Sequence, residues 1–468
     1  MKPLRIMLAG AALGAALLCG CADVSMPGYR RPDAPQKAAF SQKEAAPVSA
    51  SATIAPDWWR GFNDPYLDSL IARAISSNID IRILAARTRV AEAQIGEARA
   101  GALPTLDAGA GASFEKVTGQ KFTKQFNVGA QVNWDIDIWG KVQKGVEAQQ
   151  AEFRASEADW RAGYLSMVAD VAGAYFQILQ LDEQSARQQQ ALARGRQILG
   201  TFEAMHAAGV LPNTRVLQQR AEINRLSSDL LELRRARDLA GNALATLLGV
   251  PAGEFTVPPG RLQQTVQAPP VPAGLPAQLL ERRPDIVAAE FRVLEAYNLV
   301  GQAKLAQLPS ISLTGRGGSA SFALTDLLKT FTVGLLPSIN LPMFDPSVKA
   351  RIKTSEAQTE VAEQLYRRTV IGAFEEVENA LVNLDAHRKQ RVELEQQVGQ
   401  LEIVRQQFAG QLREGVVSQL DVFESERSLL AAQLALLANH QQLLSDTVTL
   451  YKAMGGGWPA VIVSGAAR

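Results

Sequence analysis

Between Phe126 and Ile138 every second residue is apolar. Phe126, Val128, Ala130, Val132, Trp134, Ile136 and Ile138 alternate with Asn127, Gly129, Gln131, Asn133, Asp135 and Asp137. This strict period of two predicts a β-strand with one apolar and one polar face. A weaker alternation runs through Leu106, Ala108, Ala110, Ala112 and Phe114, and the polar stretch Glu115 to Gln125 reads as the loop between the two strands. The second half of the chain repeats the arrangement with Ile311, Leu313 and Gly315, then Phe331, Val333, Leu335, Ile339 and Leu341. Pro337 and Pro342 weaken the last strand, because proline removes a ladder donor. Two hairpins are therefore predicted, at about 105–139 and 310–342.

The rest of the pattern is helical. A helix is expected from about Leu67 to Ala100, closed by Pro104. From Lys141 to His206 there is no proline in 66 residues. A continuous helix of that length spans about 100 Å. Ala148, Ala151, Ala155, Ala158, Ala162, Leu165, Ala169 and Ala172 step by 3 and 4. This is a seam of small residues that lets another helix approach closely. After Gly415, Leu420, Phe423, Arg427, Leu430, Leu434, Leu437, Gln441, Leu444, Val448 and Tyr451 continue the same stepping. For most of these residues plain core packing explains the stripe.

The chain is a duplicated unit. Asp80-Ile81, Arg87, Ala91, Ala98 and Leu103-Pro104 recur as Asp285-Ile286, Arg292, Ala296, Ala303 and Leu308-Pro309, all at an offset of 205. Gly209-Val210, Val216 and Gly249 recur as Gly415-Val416, Val422 and Gly455, at 206. The expected organisation is a signal peptide at 1–20 and an extended, lipidated segment at 21–66. Repeat one follows at 67–248, with its hairpin, a long helix at 141–206 and a helix at 213–248. An equatorial linker occupies 249–274. Repeat two fills 275–454, with a long helix at 346–412 and a helix at 418–454, and a tail covers 455–468.

Composition narrows the chemistry. The 48 basic and 47 acidic side chains give a net charge of +1, so nothing points to nucleic acid as a partner. Three scattered histidines, His206, His387 and His440, make no metal site. Gly315-Arg316-Gly317-Gly318 is not a phosphate loop, since it sits in a strand region with no following helix. No nucleophile–base set appears, and neither an enzyme nor a cofactor is expected. At the N-terminus, Lys2 and Arg5 precede a short apolar run that ends Leu18-Cys19-Gly20-Cys21. The run is too short to span a membrane and reads as a secretory signal. Leu18-Cys19-Gly20-Cys21 resembles a bacterial lipobox, which makes Cys21 the expected site of a covalent lipid anchor. Ala22 after the cysteine is compatible with export to the outer membrane.

A strand of 9 to 13 alternating residues has the length and pattern of a membrane β-strand. Four strands per chain cannot enclose a lumen, and eight make a barrel filled by its own side chains. Three chains would give twelve. The expected fold class is an α+β membrane protein. A trimeric 12-stranded outer-membrane β-barrel, four strands per chain, would be continuous with a long periplasmic α-helical barrel built from two tandem repeats.

Several stretches carry a more specific likeness. Met26-Pro27-Gly28-Tyr29-Arg30-Arg31-Pro32 resembles the segment after the lipobox of outer-membrane efflux lipoproteins. Trp58-Trp59-Arg60-Gly61-Phe62-Asn63-Asp64-Pro65-Tyr66-Leu67 resembles the entry to their first helix. Leu279-Leu280-Glu281-Arg282-Arg283-Pro284-Asp285-Ile286, followed by Leu308-Pro309-Ser310-Ile311-Ser312-Leu313, resembles their second-half motif. The chain thus resembles the outer membrane factor family, the TolC-like exit ducts, in its NodT/OprM-type lipoprotein branch. The resemblance implies a passive homotrimeric conduit in the outer membrane. It would dock a periplasmic adaptor (a membrane fusion protein) and an inner-membrane pump of the resistance-nodulation-division (RND) type. A duct for type I protein secretion is the alternative. A periplasmic adaptor is a further rival, but it would lack two copies of an alternating strand pair. The resemblance also implies a periplasmic gate. Leu420 and Glu424 match positions of constricting rings, Asp421 matches an acidic position of a second ring, and Arg427 falls where a nearby arginine is found. Val417 stands where a basic gate partner is found in TolC. The plainer reading of Glu424 and Arg427 is a solvated i,i+3 ion pair.

Overall fold

A computed structural model describes residues 28–35, 40, 54–119, 121–269, 282–342 and 344–458. Cys21, the expected signal peptide and most of the tail lie outside them. The main elements are α1 (Pro65–Ser77), α2 (Ile79–Ala100), β1 (Thr105–Glu115), β2 (Thr123–Ile136), α3 (Lys141–Ala207), α4 (Asn213–Leu247), α5 (Pro284–Leu305), β3 (Ser310–Ser321), β4 (Thr332–Asn340), α6 (Pro346–Arg413) and α7 (Gln419–Ala453). No helix among the described residues is long and apolar enough to cross a membrane. The chain divides into two compact units.

The first unit holds the strands, with Arg87–Ser156, Ala288–Arg368 and the described residues before Pro35. Its four strands form one antiparallel sheet in the order β1-β2-β3-β4. The register places the alternating residues together. Leu106 opposes Val132, and Val132 opposes Gly315, which opposes Leu335. That face carries Val128, Trp134, Ile311, Val333 and Ile339, and Val333 is 81% exposed. The other face is mostly polar or bare, with Leu336 its large apolar exception. Pro337 sits in β4, an edge strand of this sheet, where the missing donor is tolerated. Strand β2 begins at Thr123 and stops at Ile136, so the loop is shorter than expected and Ile138 falls in the turn to α3. Indole N–H groups fix that turn region. Trp134 donates to the Ala102 carbonyl (3.0 Å) and Trp139 to that of Pro309 (2.7 Å). Beyond the sheet, Ala148, Ala151 and Ala155 are buried, as a close-approach seam requires. The stretch after Gly28 packs here too, with Tyr29 edge-on to Tyr297 and Arg31 paired with Glu290.

The second unit comprises Pro35–Ala86, Glu157–Val287 and Thr369–Arg468. Its core explains the Trp-Trp stretch. Trp58, Trp59 and Phe62 are buried, and Trp58 stacks on Tyr451 with centroids 4.8 Å apart. Asp64 then starts α1. Its carboxylate accepts from the Tyr66 and Leu67 amides and from the Tyr175 hydroxyl (2.8 Å), and Pro65 takes the first helical position. The linker contributes Val257, Leu262 and Val266 to the same core.

The single helix expected over Leu67–Ala100 is two. Asn78 breaks it, with φ −59° and ψ 128°. Its side-chain oxygen accepts from the Ile81 amide and so caps α2, while its Nδ2 donates to the Leu247 carbonyl (2.8 Å). At the matching place in the second repeat, Arg283 donates to the Ala453 carbonyl (2.9 Å). It also makes a bidentate pair with Asp285 and a bond to Glu376 (2.7 Å). The two repeats thus tie down the last carbonyl of α4 and α7 with different side chains at equivalent positions.

Candidate functional site

The two helical turns lie in the second unit, and local chemistry dictates their form. At Gly209 the α3 helix ends with φ +73°, and at Gly415 α6 ends with φ +72°. In each, the glycine amide bonds the carbonyl three residues back and the following valine amide bonds the one five back: Gly209 to His206 and Val210 to Met205, Gly415 to Leu412 and Val416 to Gln411. This is the Schellman closure, which needs a left-handed residue that glycine supplies without strain. It leaves Val210 and Val416 at the turn, each 69% exposed.

Helix α7 starts four residues after Gly415, and the four expected gate residues lie in its first turns. Asp421 accepts from both the amide and the hydroxyl of Ser418 (2.8 and 2.6 Å), the capping box of the helix. These bonds hold its carboxyl below the usual carboxylate range. Glu424 and Arg427 pair across one turn at 2.7 Å, both about half exposed. Leu420 is half-buried. Leu420 and Glu424 lie one turn apart on the same helix face. Within the chain, Asp421 therefore serves the helix start, while Leu420, Glu424 and Arg427 keep accessible surface.

The apolar stripe of α7 is not one seam. Near the turn the buried face is Val422, Ser425, Leu429 and Ala432. From Leu437 it shifts to Leu444, Val448 and Tyr451. Phe423 packs against Ile198, Phe202 and Val216, and Leu430 against Leu192, Leu226 and Leu230. Stepping by 3 and 4 drifts around a helix of 3.6 residues per turn, so a long stripe crosses from one neighbour to the next.

Sequence reading missed the charged hollow beside this turn. It holds about 220 Å³ and lies between α3, α4, α6 and α7. Arg194 of α3 reaches Glu426 of α7 (3.4 Å), and Arg405 bonds Glu402 within α6 (2.5 Å). Partners 232 residues apart leave no spacing signal in the sequence.

Comparison with known proteins agrees with this architecture. The sequence profile of the outer membrane efflux protein family matches residues 70–250 and 275–456. The probable outer membrane lipoprotein SilC of Salmonella typhimurium is 30% identical over 94% of this chain and 97% of its own. The open-state MtrE outer membrane channel of Neisseria gonorrhoeae superposes with a TM-score of 0.83 at 30% identity, covering 93% of this chain and 98% of that one. The outer-membrane channel OprN gives 0.83 at 28% identity, over 93% and 99%. The strand pairs, the long helices and their glycine-closed turns are the parts of a channel wall, and the chain belongs to the outer membrane efflux protein family.

Proposed function

We propose that this outer-membrane efflux protein works as a homotrimer, as the exit duct of a tripartite pump that also comprises a periplasmic adaptor and an inner-membrane pump of the RND type. The observation that carries the reading is the sheet. Strands β1 and β4 are both open edges, and one face is apolar and exposed. Unpaired strand edges are not tolerated in hydrocarbon, so the sheet must close. Twelve strands are the smallest multiple of four with an open lumen. Transport through such a duct is passive, and the energy comes from the inner-membrane pump.

Cys21 carries the lipid in this reading. Six residues separate it from Gly28, and the seven steps reach at most about 25 Å when extended; Tyr29 and Arg31 pack in the unit that holds the strands. The name of SilC, a lipoprotein, supports the same assignment. Leu420 and Glu424 form the gate rings. Deleting the protein and screening drugs, solvents and metal salts tests the function. Hypersensitivity to at least one class is expected. An unchanged panel together with loss of a secreted protein would establish type I secretion instead. Mass photometry in detergent should count three copies, and Cys21→Ala should lose acyl labelling.

A further inference from the structure

The polar face of the sheet holds a feature that neither the gate nor the fold uses. The register aligns Asp107 of β1, Gln131 of β2, Arg316 of β3 and Gly334 of β4 in one cross-strand row. On that face the other charged residues of the strands are Glu115 and Asp135, both acids, near opposite ends of the sheet. Arg316 is its one cation among the described strand residues, and Lys124 lies on the opposite face. The surroundings of Arg316 are largely bare, although Leu336 reaches to Gly334 opposite it. Gly129 and Gly318 oppose each other beside the row, and their backbones approach so closely that a Cβ on Gly318 would lie 2.8 Å from the Val128 carbonyl oxygen. Glycines thus form a floor from which the Arg316 side chain stands out. The face is hollowed: a concavity of about 710 Å³ is lined by Asp107, Gly129, Gln131, Arg316, Gly318 and Gly334 among others.

Nothing among the described residues occupies the guanidinium. Gln131, its direct neighbour, is turned to Asn133 (2.6 Å). Among the described residues Arg316 makes no hydrogen bond or ion pair. Asp107 lies two strands away, about 10 Å. That distance is near the Debye length in physiological salt, so the two charges act largely apart. The arginine is also the longer side chain and reaches further from the wall. A guanidinium offers a planar fork of donors that matches carboxylate, sulfonate and phosphate groups.

We infer that Arg316 is an anion-selecting site in the lumen of the β-barrel, where three copies make one basic ring that attracts the carboxylate, sulfonate or phosphate groups of exported molecules in an otherwise acidic lining. The inference rests on the exit-duct reading, because it takes the polar face as the lumen. The ring is set by the strands and is independent of the gate at the helical turns.

A reporter thiol tests it in intact cells. Gln131→Cys places a cysteine beside Arg316 in the row, and the parent protein, whose Cys21 sulfur is blocked by the lipid in this reading, gives the background. The rates of labelling from outside by sulfonatoethyl (anionic) and trimethylammonioethyl (cationic) methanethiosulfonate are compared. Any effect of Arg316 on the thiol itself cancels in their ratio. At a separation of about 6 Å in water-like surroundings with physiological salt, Arg316→Gln should lower the anionic-to-cationic ratio about threefold. Arg316→Glu should lower it further, and Arg316→Lys should keep it. An unchanged ratio in Arg316→Gln, with the reporter still labelled, overturns the anion site and leaves the duct standing. A second reporter, Leu335→Cys on the opposite face, should stay unlabelled. If Leu335→Cys is labelled and Gln131→Cys is not, the lumen has been assigned to the wrong face, and the duct reading falls together with the site.

Discussion

At the scale of single residues, the strongest commitments are buried charges. Arg283 is 6% exposed and holds Asp285, Glu376 and the Ala453 carbonyl. Asp285 and Glu376 are 37% and 56% exposed, so water can take up their charge once the guanidinium is gone, and what is lost is mainly the charge-assisted bonds of the buried arginine. Arg283→Ala should therefore cost about 1.5–3 kcal/mol, read as a lowered thermal midpoint in detergent. Asn78→Ala, which loses neutral bonds, should cost only about 0.5–1.5 kcal/mol. The arginine was legible as part of a motif, but its work was not. Asp285 stands beside it in the motif, but Glu376 and the Ala453 carbonyl lie 93 and 170 residues away, and no local pattern announces them. Glu295 makes a second commitment. Burial first, then the charge of Glu152 and a hydrogen bond shared with it, push its carboxyl up to about 7, against a smaller opposing pull from Arg292. The folded chain thus binds more protons than the unfolded one between the ordinary carboxyl value of 4.5 and about 7. Stability should fall as pH rises through that window and stay level above it. Glu295→Gln should flatten the dependence and raise the midpoint at pH 8 relative to the parent.

Elements show why the two halves look alike. The glycines that revealed the duplication, Gly209 with Gly415 and Gly249 with Gly455, all have positive φ and all close a helix with the same pair of backbone bonds. The repeat was visible because the left-handed cap demands a residue type that few others can replace. The break at Asn78 was less visible, because apolar positions continue across it and the asparagine cap was the only local sign. The direction of a glycine substitution follows from the element that holds it. Gly415→Ala forces a side chain into the left-handed region and should destabilise by about 1–2 kcal/mol. Gly399 and Gly410 lie within α6 with open space around the Cβ position. Alanine there should stabilise by about 0.5–1 kcal/mol. Urea titration of the three variants in one detergent would show opposite shifts of the midpoint. A uniform sign would refute the assignment of Gly415 as a cap.

For the whole molecule, the alternating strands and proline-free helices carried most of the fold in the sequence, since period and length survive without knowledge of partners. The gate did not carry over as directly, because a ring belongs to an assembly and not to one chain. Within the chain, Asp421 is tied to Ser418 at the helix start, while Leu420, Glu424 and Arg427 remain accessible. These roles separate by substitution. Asp421→Asn weakens the bonds to Ser418, so it should cost helix-start stability of about 0.5–2 kcal/mol with little change in the resting current. In the proposed trimer, Leu420→Ala with Glu424→Ala removes three leucines and three carboxylates from the proposed constriction and leaves the capping box intact. A leucine ring resists wetting and an acidic ring favours cations. The double variant should therefore raise single-channel conductance in planar bilayers severalfold and reduce the preference for cations. Glu424→Gln alone should change selectivity more than conductance, because the ring keeps its size. Unchanged conductance in the double variant would take Leu420 and Glu424 out of the gate and leave Glu424 and Arg427 as the solvated pair seen within the chain.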